Sequence, residues 1–330
     1  MKDSGIGDWL SRLVALTLIF IVTGCASTTK LPPELKHIDT RALPSADLAL
    51  TIPGLGPCTD NPDRTLHLNA SQPVVVLVHG CFASAGRFRT LAQVFAFHGQ
   101  QSVCFSYDDR DRLTDSATKL VTALDELADH MKNRNLTIIG HSQGGLITRN
   151  ALSAQRERPL DAALDLRLVT ISSPYAGIAA AGHCGSSVAR VVSLGLVVPI
   201  CMLISGDKWY EITSASEFIR EPGSLIGQVD DFLKIVTDER DSCRRHDSDG
   251  QCVEDDFVFS TREQYYPAID SSPRVIPVEV KAGHAEIVGN AGATPDKLIA
   301  ILQQQGIMRA TPTAQSAALD ALLGVLYRND

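Results

Sequence analysis

The chain has 330 residues, of which 44% are hydrophobic and 21% are charged, so it is able to bury a sizeable core in one large domain or two small ones. This composition excludes a largely disordered protein. The formal net charge is -8 without a dense run of lysine and arginine, which argues against nucleic acid or an anionic surface as a ligand.

The N-terminal segment has the pattern of an export signal. Lys2 and Arg12 precede the apolar run at residues 13–22, which is shorter than the roughly 20 residues that a spanning helix needs. The next residues, VTGC, resemble the bacterial lipobox, whose cysteine is lipidated and becomes the mature N-terminus. We therefore predict a signal peptide over residues 1–24 and a membrane anchor on Cys25. The alternative is an ordinary signal peptide with an incidental cysteine.

The residues after this cysteine carry predictions about location and domains. Ser27, and not aspartate, is the second residue after Cys25, and the lipoprotein resemblance then implies the outer membrane of the cell envelope, on either face. Residues 25–71 are polar and contain prolines, which predicts a lipidated leader that is partly a tether. The folded domain is predicted over residues 72–330.

An exported chain is expected to oxidise its cysteines, of which there are eight. Setting Cys25 aside leaves an odd number, so at least one thiol stays free or pairs between chains. The clearest local pair is Cys243 with Cys252, and Cys184 with Cys201 is a weaker candidate. None of the spacings matches a zinc site, and we predict no metal or organic cofactor.

Strands and helices alternate through the predicted domain. The run VVVLVHG at residues 74–80 is typical of a strand that is buried on both faces. The other predicted strands are residues 101–107, 136–140, 166–174, 232–237 and 274–280, and the predicted helices are residues 88–97 and 116–132. This alternation favours a mostly parallel α/β sheet with right-handed connections.

Ser142 lies in the sequence GHSQG, between a predicted strand and a predicted helix. Gly140 and Gly144 permit a sharp turn in which the serine becomes strained and exposed. The G-x-S-x-G pattern alone also occurs at ordinary turns, but this context predicts a nucleophile elbow. Ser142 is therefore the predicted nucleophile.

The order of motifs resembles that of α/β-hydrolases of the lipase and esterase type, in particular the lipase-like and GPI-inositol-deacylase-like branch. The motifs that carry the resemblance are VVVLVHG, FSYDDRDRLTDSATKL, IIGHSQGGLITRNAL, VTISSPYAG and AGHAEIVGN. They run in the family's order over residues 73–301. The resemblance implies the α/β-hydrolase fold, with a mostly parallel central sheet flanked by helices and a helical cap inserted at about residues 177–231.

The resemblance also implies a serine, histidine and acid triad. Ser142 needs a base within hydrogen-bond reach, and His284 follows the last predicted strand, where the family has its base. The acid is expected after the preceding strand, and Asp256, in EDDFVF, fits the family pattern best. The alternative acids are Asp241, Asp238 and Asp255. An insertion between Cys243 and Cys252 makes the alignment ambiguous at this place.

By the same resemblance, the oxyanion hole consists of the backbone amides of Gln143 and Cys81. Cysteine is unusual at the second of these positions. Because only its amide is needed, the side chain of Cys81 is free to be anything that fits, including half of a disulfide with Cys58 or Cys104.

The predicted cap contains the apolar run SVARVVSLGLVVPICMLIS at residues 187–205. Arg190, Gly195 and Pro199 interrupt it, which argues against a spanning helix. Two interpretations stay open: a helix packed on the sheet, or an apolar wall or interface-seeking lid for an acyl chain.

Together these features predict a membrane-anchored serine hydrolase that cleaves acyl or lipid esters through an acyl-enzyme. The predicted partners are the ester substrate and, through Cys25, a membrane, but no nucleic acid. An acyltransferase would use the same acyl-enzyme. A further alternative is a non-catalytic lipoprotein that uses the fold as a binding surface.

Overall fold

A seven-stranded sheet organises the chain in the computed structural model, which describes residues 38–81, 83–155, 160, 163–185, 197–290 and 292–328. His37–Asn329 forms one compact unit. The predicted signal peptide, the lipidation site Cys25 and residues 187–196 of the apolar run lie outside the described residues.

The sheet is parallel except at one edge. The strands are β1 (Leu48–Leu50), β2 (Leu55–Gly56), β3 (Leu66–Leu68), β4 (Val74–Val78), β5 (Ser102–Phe105), β6 (Asn135–His141), β7 (Asp165–Ile171), β8 (Val229–Asp238), β9 (Cys243–His246), β10 (Cys252–Asp255) and β11 (Val275–Lys281). Their order in the main sheet is β11-β8-β7-β6-β4-β5-β2, with only β2 antiparallel to its neighbour. This topology confirms the predicted α/β-hydrolase fold.

Helices follow most of the strands. They are α1 (Arg89–Phe97), α2 (Leu113–His130), α3 (Gln143–Ala151), α4 (Gly182–Gly185), α5 (Val197–Ser205), α6 (Glu217–Arg220), α7 (Thr261–Gln264), α8 (Pro267–Asp270), α9 (Asp296–Gln304) and α10 (Ser316–Leu326). Short 3-10 turns occupy Ala85–Phe88, Ala179–Ala181, Gly206–Trp209, Glu286–Val288 and Thr313–Gln315. The inserted helices α4, α5 and α6 lie between β7 and β8, in the stretch predicted as a cap.

The core forms where the central strands meet the amphipathic helices. All five residues of β4 are buried, as its unbroken apolar run predicts for a strand with covered faces. Leu120, Leu124 and Leu127 of α2 recur at helical spacing and are fully buried. Within the described residues, no helix is both long and apolar enough to cross a membrane.

Part of the predicted leader is folded. Its described part, from residue 38, belongs to the folded unit and is not a tether, because β1 pairs with β3 and β2 extends the main sheet. Cys58, just beyond β2, forms a disulfide with Cys104 on β5. The polar composition of this stretch reflects a position at the sheet edge, where one side faces water.

The predicted disulfides Cys184–Cys201 and Cys243–Cys252 are confirmed. The suggested disulfide of Cys81 with Cys58 or Cys104 is not formed. Cys58 and Cys104 are bonded to each other, and Cys81 is a free thiol. The sheet register explains this outcome. Cys104 lies opposite Leu77 within β4, whereas Cys81 lies beyond the carboxyl end of that strand.

Removing the disulfides separately tests how far each one stabilises the fold. Cys58–Cys104 closes a separation of 46 residues and Cys243–Cys252 one of 9 residues. Because longer loops lose more chain entropy when closed, the double alanine variant of the first pair should lower the free energy of unfolding by about 4 kcal/mol and that of the second by roughly 2.5 kcal/mol. Urea unfolding measures both; an equal loss would show that loop length does not set these contributions.

Candidate active site

Ser142 stands at a strained turn between β6 and α3. Its φ is 56° and its ψ is -125°, a conformation that non-glycine residues rarely adopt, and the residue is buried, whereas the sequence predicts an exposed serine. Gly144 makes this turn possible, because a Cβ there would overlap the carbonyl of Val78. The backbone therefore has the geometry that the GHSQG pattern predicts for a nucleophile elbow.

His284 is brought to the same end of the sheet as Ser142. The Ser142 amide donates to the carbonyl of Ile171 at 2.8 Å, and the next residue, Ser172, lies with its Oγ 2.8 Å from Nδ1 of His284. The neighbour His141 fixes the backbone of the histidine, since its Nε2 donates to the carbonyl of His284 at 3.0 Å. Burial, reinforced by the nearby His284, holds the pKa of His141 well below its ordinary value, so this donor is a neutral imidazole.

The acid beside His284 is Glu239, which follows β8 directly. Its Oε1 lies 2.9 Å from Nδ1 of His284 and 2.6 Å from Oγ of Ser172. Its Oε2 accepts the backbone amides of Val258 and Phe259 at 2.6 Å and 2.8 Å. A carboxylate on Nδ1 keeps the proton on that nitrogen, which leaves Nε2 as the basic nitrogen of His284.

This carboxylate is held in its ionised form although it is only 1% exposed. Burial raises the pKa of Glu239, but the hydrogen bond and charge of His284, with hydrogen bonds from Ser172 and Phe259, outweigh burial, and the pKa lies below its ordinary value. Thr237 adds a hydroxyl 2.9 Å from Oε1. Each carboxylate oxygen thus has its own set of hydrogen-bond donors.

The prediction of Asp256 as the acid beside the ring is therefore corrected. Asp256 is fully buried, and its carboxylate accepts the amides of Ala285 and Glu286, at 2.9–3.0 Å, and pairs with Arg244 at 2.9 Å. Its backbone carbonyl accepts the amide of His284 at 3.0 Å. Asp256 holds the loop that carries His284, while Glu239 contacts the imidazole itself.

The three alternative aspartates are also directed elsewhere. Asp238 forms an ion pair with Arg240 at 2.7 Å on the outer side of the strand end. The side chain of Asp241 is 96% exposed, and Asp255 is exposed and accepts the amide of Phe257 at 2.9 Å. None of these positions is one from which a carboxylate meets the imidazole.

Sequence reasoning missed Glu239, Ser172 and Thr237. A signal for the first was present, because a glutamate directly after β8 occupies the position that α/β-hydrolases reserve for the acid, and either acidic residue serves there. The signal was obscured because the family pattern has an aspartate here, which Asp256 matches after the insertion. For the hydroxyls of Ser172 and Thr237 the sequence gives no comparable signal, since serine and threonine are common at strand ends.

The two predicted oxyanion donors are both near Ser142, Gln143 as the next residue and Cys81 beside the packed Gly80. Gln143 is the first residue of α3, and the first amides of a helix lack acceptors within that helix. Cys81 follows Gly80, at which a Cβ would lie 2.9 Å from the Cβ of Ser142. Burial raises the pKa of the Cys81 thiol more than the neighbouring Lys208 lowers it, so the thiol is protonated and is not a competing nucleophile.

The ionised state of Glu239 predicts a pH-dependent contribution to stability. A carboxylate whose folded pKa is lowered stabilises the fold above its unfolded pKa, about 4.3, and loses that contribution as the pH falls through the folded value. At neutral pH, Glu239→Gln should lower the free energy of unfolding by about 1–3 kcal/mol through mismatched buried hydrogen bonds.

The difference in the free energy of unfolding between Glu239→Gln and the wild type should become smaller as the pH falls from about 5 to about 3, as measured by urea unfolding. Glu217→Gln, at an exposed glutamate, is the control and should show a much smaller difference at neutral pH. A difference for Glu239→Gln that is constant over this range would contradict an ionised Glu239.

Comparisons with known proteins agree with this architecture. Residues 73–242 match the family described as palmitoyl protein thioesterase. The Bacillus licheniformis lipase BlEst2 in its propeptide form is 15% identical with a TM-score of 0.51, and the match covers 78% of this chain and 54% of that one. The mature form of the same lipase is 15% identical with a TM-score of 0.49, and the match covers 77% of this chain and 97% of that one. The Pyrococcus furiosus esterase Pf2001 is 16% identical with a TM-score of 0.46, covering 81% and 92%.

None of the curated proteins compared with the chain matches it. At these identities, the similarity to solved structures concerns the fold alone. The family match spans residues 73–242 of 330, which is just over half of the sequence and includes Ser142 and Glu239. On that match, the chain belongs to the palmitoyl protein thioesterase family.

Proposed function

We propose that this protein is a serine hydrolase of acyl esters in which Ser142, His284 and Glu239 form the triad. The observation that carries the proposal is the 2.9 Å contact between Nδ1 of His284 and the buried carboxylate of Glu239, at the sheet end where Ser142 occupies a strained elbow. A nucleophile, a base and an acid that fixes the base are the parts that acyl transfer needs.

The first step is attack of Ser142 Oγ on the ester carbonyl. Nε2 of His284 accepts the serine proton and returns it to the leaving alcohol or thiol, which departs as the acyl-enzyme forms. The ionised Glu239 stabilises the transient imidazolium through Nδ1. In the second step, water activated by the same nitrogen attacks the acyl-enzyme and releases the acid and Ser142.

The amides of Gln143 and Cys81 stabilise the negative charge on the carbonyl oxygen in both steps. Backbone donors suit this task because their positions are set by the fold and need no reorganisation during the reaction. Gln143 contributes the first amide of α3, where the helix dipole adds a positive potential.

The substrate class is an acyl ester or thioester with a sizeable acyl or leaving group. A cavity of about 580 Å³ lies beside the oxyanion loop, a volume in the range of ligand pockets. Ile52, Leu55 and Tyr107 give it apolar walls, and Asp60 and Arg64 give it polar ones. The family's description supports including thioesters among the candidates.

The cellular context remains a proposal from the sequence. A signal peptide and a lipid on Cys25 would hold the enzyme at the cell envelope, at the outer membrane, close to lipid substrates. Acyl transfer to an acceptor other than water would use the same acyl-enzyme. A purely binding role is disfavoured, because a binding surface has no use for a strained serine beside a paired histidine and glutamate.

The two buried carboxylates should differ in their effect on turnover. Glu239→Gln removes the charge that stabilises the imidazolium and should lower kcat by about 10³–10⁴-fold. Asp256→Asn keeps Glu239 on the ring but weakens the hold on its loop, and we expect a loss of about 10-fold together with a lower thermal midpoint.

Steady-state kinetics and thermal unfolding of both variants make the comparison, with Asp241→Asn, at an exposed residue, as the control that leaves both values unchanged. If Asp256→Asn loses the greater share of kcat, the acid is Asp256 and the assignment of Glu239 is wrong.

Substrate profiling tests the reaction itself. The purified protein should hydrolyse p-nitrophenyl esters and acyl thioesters of increasing chain length, with Ser142→Ala reducing kcat/KM by at least about 10³-fold and abolishing fluorophosphonate labelling. A preference for long thioesters would define an acyl thioesterase, and one for oxygen esters a lipase or esterase. Activity that survives in Ser142→Ala would refute the proposed mechanism.

A further inference from the structure

Lys208 is a buried cation beside the proposed oxyanion hole, and the triad mechanism does not use it. The residue is 3% exposed and lies in the 3-10 turn Gly206–Trp209, within the insertion between β7 and β8. Its Nζ donates to Oε1 of Gln143 at 2.7 Å and lies 3.1 Å from Sγ of Cys81. These two residues are the ones whose amides are proposed to form the hole.

The remaining contacts of Nζ are with Asp109, on the loop after β5. The ammonium donates to the carbonyl of Asp109 and lies 3.7 Å from its carboxylate. A lysine ammonium has three protons, and Gln143, Cys81 and Asp109 supply three acceptors for them. The charge is therefore fully hydrogen-bonded although it is out of water, as a buried ammonium requires.

The position of Lys208 Nζ is fixed by the backbone of its own turn and by the residues that it contacts. The backbone next to it is anchored because Gly206 has a φ of 76° and lies against Arg110, where a Cβ would overlap the Arg110 carbonyl. On the other side, Nε2 of Gln143 also donates to the carbonyl of Asp109, at 3.2 Å, so Gln143 and Lys208 share one acceptor. One cation thus joins the loop after β4, the loop after β5 and the first residue of α3.

We propose that Lys208 is a positioning residue for the oxyanion hole, which it reaches from the inserted segment. It holds the side chains of Cys81 and Gln143 at a fixed separation, and so places a positive charge beside the two residues whose amides would bind the oxyanion. Donors that are already in place stabilise the transition state more than the ground state. This inference rests on the proposed function, since it concerns the same reaction.

A second buried lysine offers a matched control. Lys234 on β8 is 1% exposed and pairs with Asp270, and its Nζ lies over the ring of Tyr265 at 4.6 Å from the centroid. Replacing either lysine by methionine removes a buried charge while keeping an unbranched side chain of similar length. Only Lys208 contacts the residues of the proposed hole, so only its loss should affect the chemical step.

The experiment compares Lys208→Met with Lys234→Met in the full chain. Lys208→Met should lower kcat by about 10²-fold, within the range for loss of an oxyanion donor, while KM changes less than about threefold. A trifluoromethyl ketone, which Ser142 converts into a tetrahedral oxyanion, should bind more weakly by a similar factor. Lys234→Met should lower the thermal midpoint and leave kcat and ketone affinity unchanged.

A second variant covers the case in which Lys208→Met fails to fold. Gln143→Met keeps the backbone amide but removes the acceptor of Lys208, and it should lower kcat and ketone affinity together by about 10-fold, with little change in KM. Equal losses in Lys208→Met and Lys234→Met, or unchanged ketone affinity in a Lys208 or Gln143 variant with reduced kcat, would overturn the inference.

The outcomes separate this inference from the proposed function. If the wild type hydrolyses esters and fluorophosphonate labels Ser142, but Lys208→Met keeps its kcat, the triad stands and the role of Lys208 falls. If the wild type neither turns over any ester or thioester nor reacts with fluorophosphonate, the proposed function fails and this inference fails with it.

Discussion

The backbone at the carboxyl ends of β4 and β6 packs so closely that the position of Ser142 follows from it. Val78 at the end of β4 pairs with Gly140 of β6, and this register sets Gly144 against the carbonyl of Val78. On the other side, Gly80 lies against Ser142 itself. The strain at Ser142 is thus maintained by backbone packed on backbone in the most buried part of the sheet, where relaxing it would disrupt the core.

Two buried carboxylates hold His284 in different ways. Glu239 contacts Nδ1 of the imidazole, whereas Asp256 accepts the backbone amides that follow His284 and so holds the loop. Arg244, which pairs with Asp256, comes from the hairpin closed by Cys243–Cys252. The insertion that made the alignment ambiguous is therefore part of the support for the loop that carries His284.

What the sequence could predict depended on whether the signal was local. The central strands and the elbow at Ser142 were predictable because an apolar run and a glycine pattern report directly on burial and on backbone geometry. The position of His284 at this end of the sheet was predictable because it follows the last strand. Glu239 and the Cys58–Cys104 bond were not, since the first required counting across an insertion and the second depends on which edge strand joins the sheet.

The inserted segment meets the body of the protein through two buried charges of opposite sign. Lys208 enters the network at Gln143, and three residues later Glu211 accepts a hydrogen bond from the hydroxyl of Thr114 and one from the amide of Leu113, at the start of α2. A carboxylate is favourable at that position because of the helix dipole. Displacing the segment would leave both charges buried without partners, which is costly.

The apolar helix of the insertion is fixed in a similar way. The disulfide Cys184–Cys201 joins α4 to α5, and the guanidinium of Arg110 donates to the carbonyl of Leu203 at 2.9 Å. These attachments favour a fixed wall over an opening lid for this part of the insertion. A cavity of about 580 Å³, lined in part by His79 and Tyr107, is then the candidate route for a substrate, and the role proposed for Lys208 does not require the insertion to move.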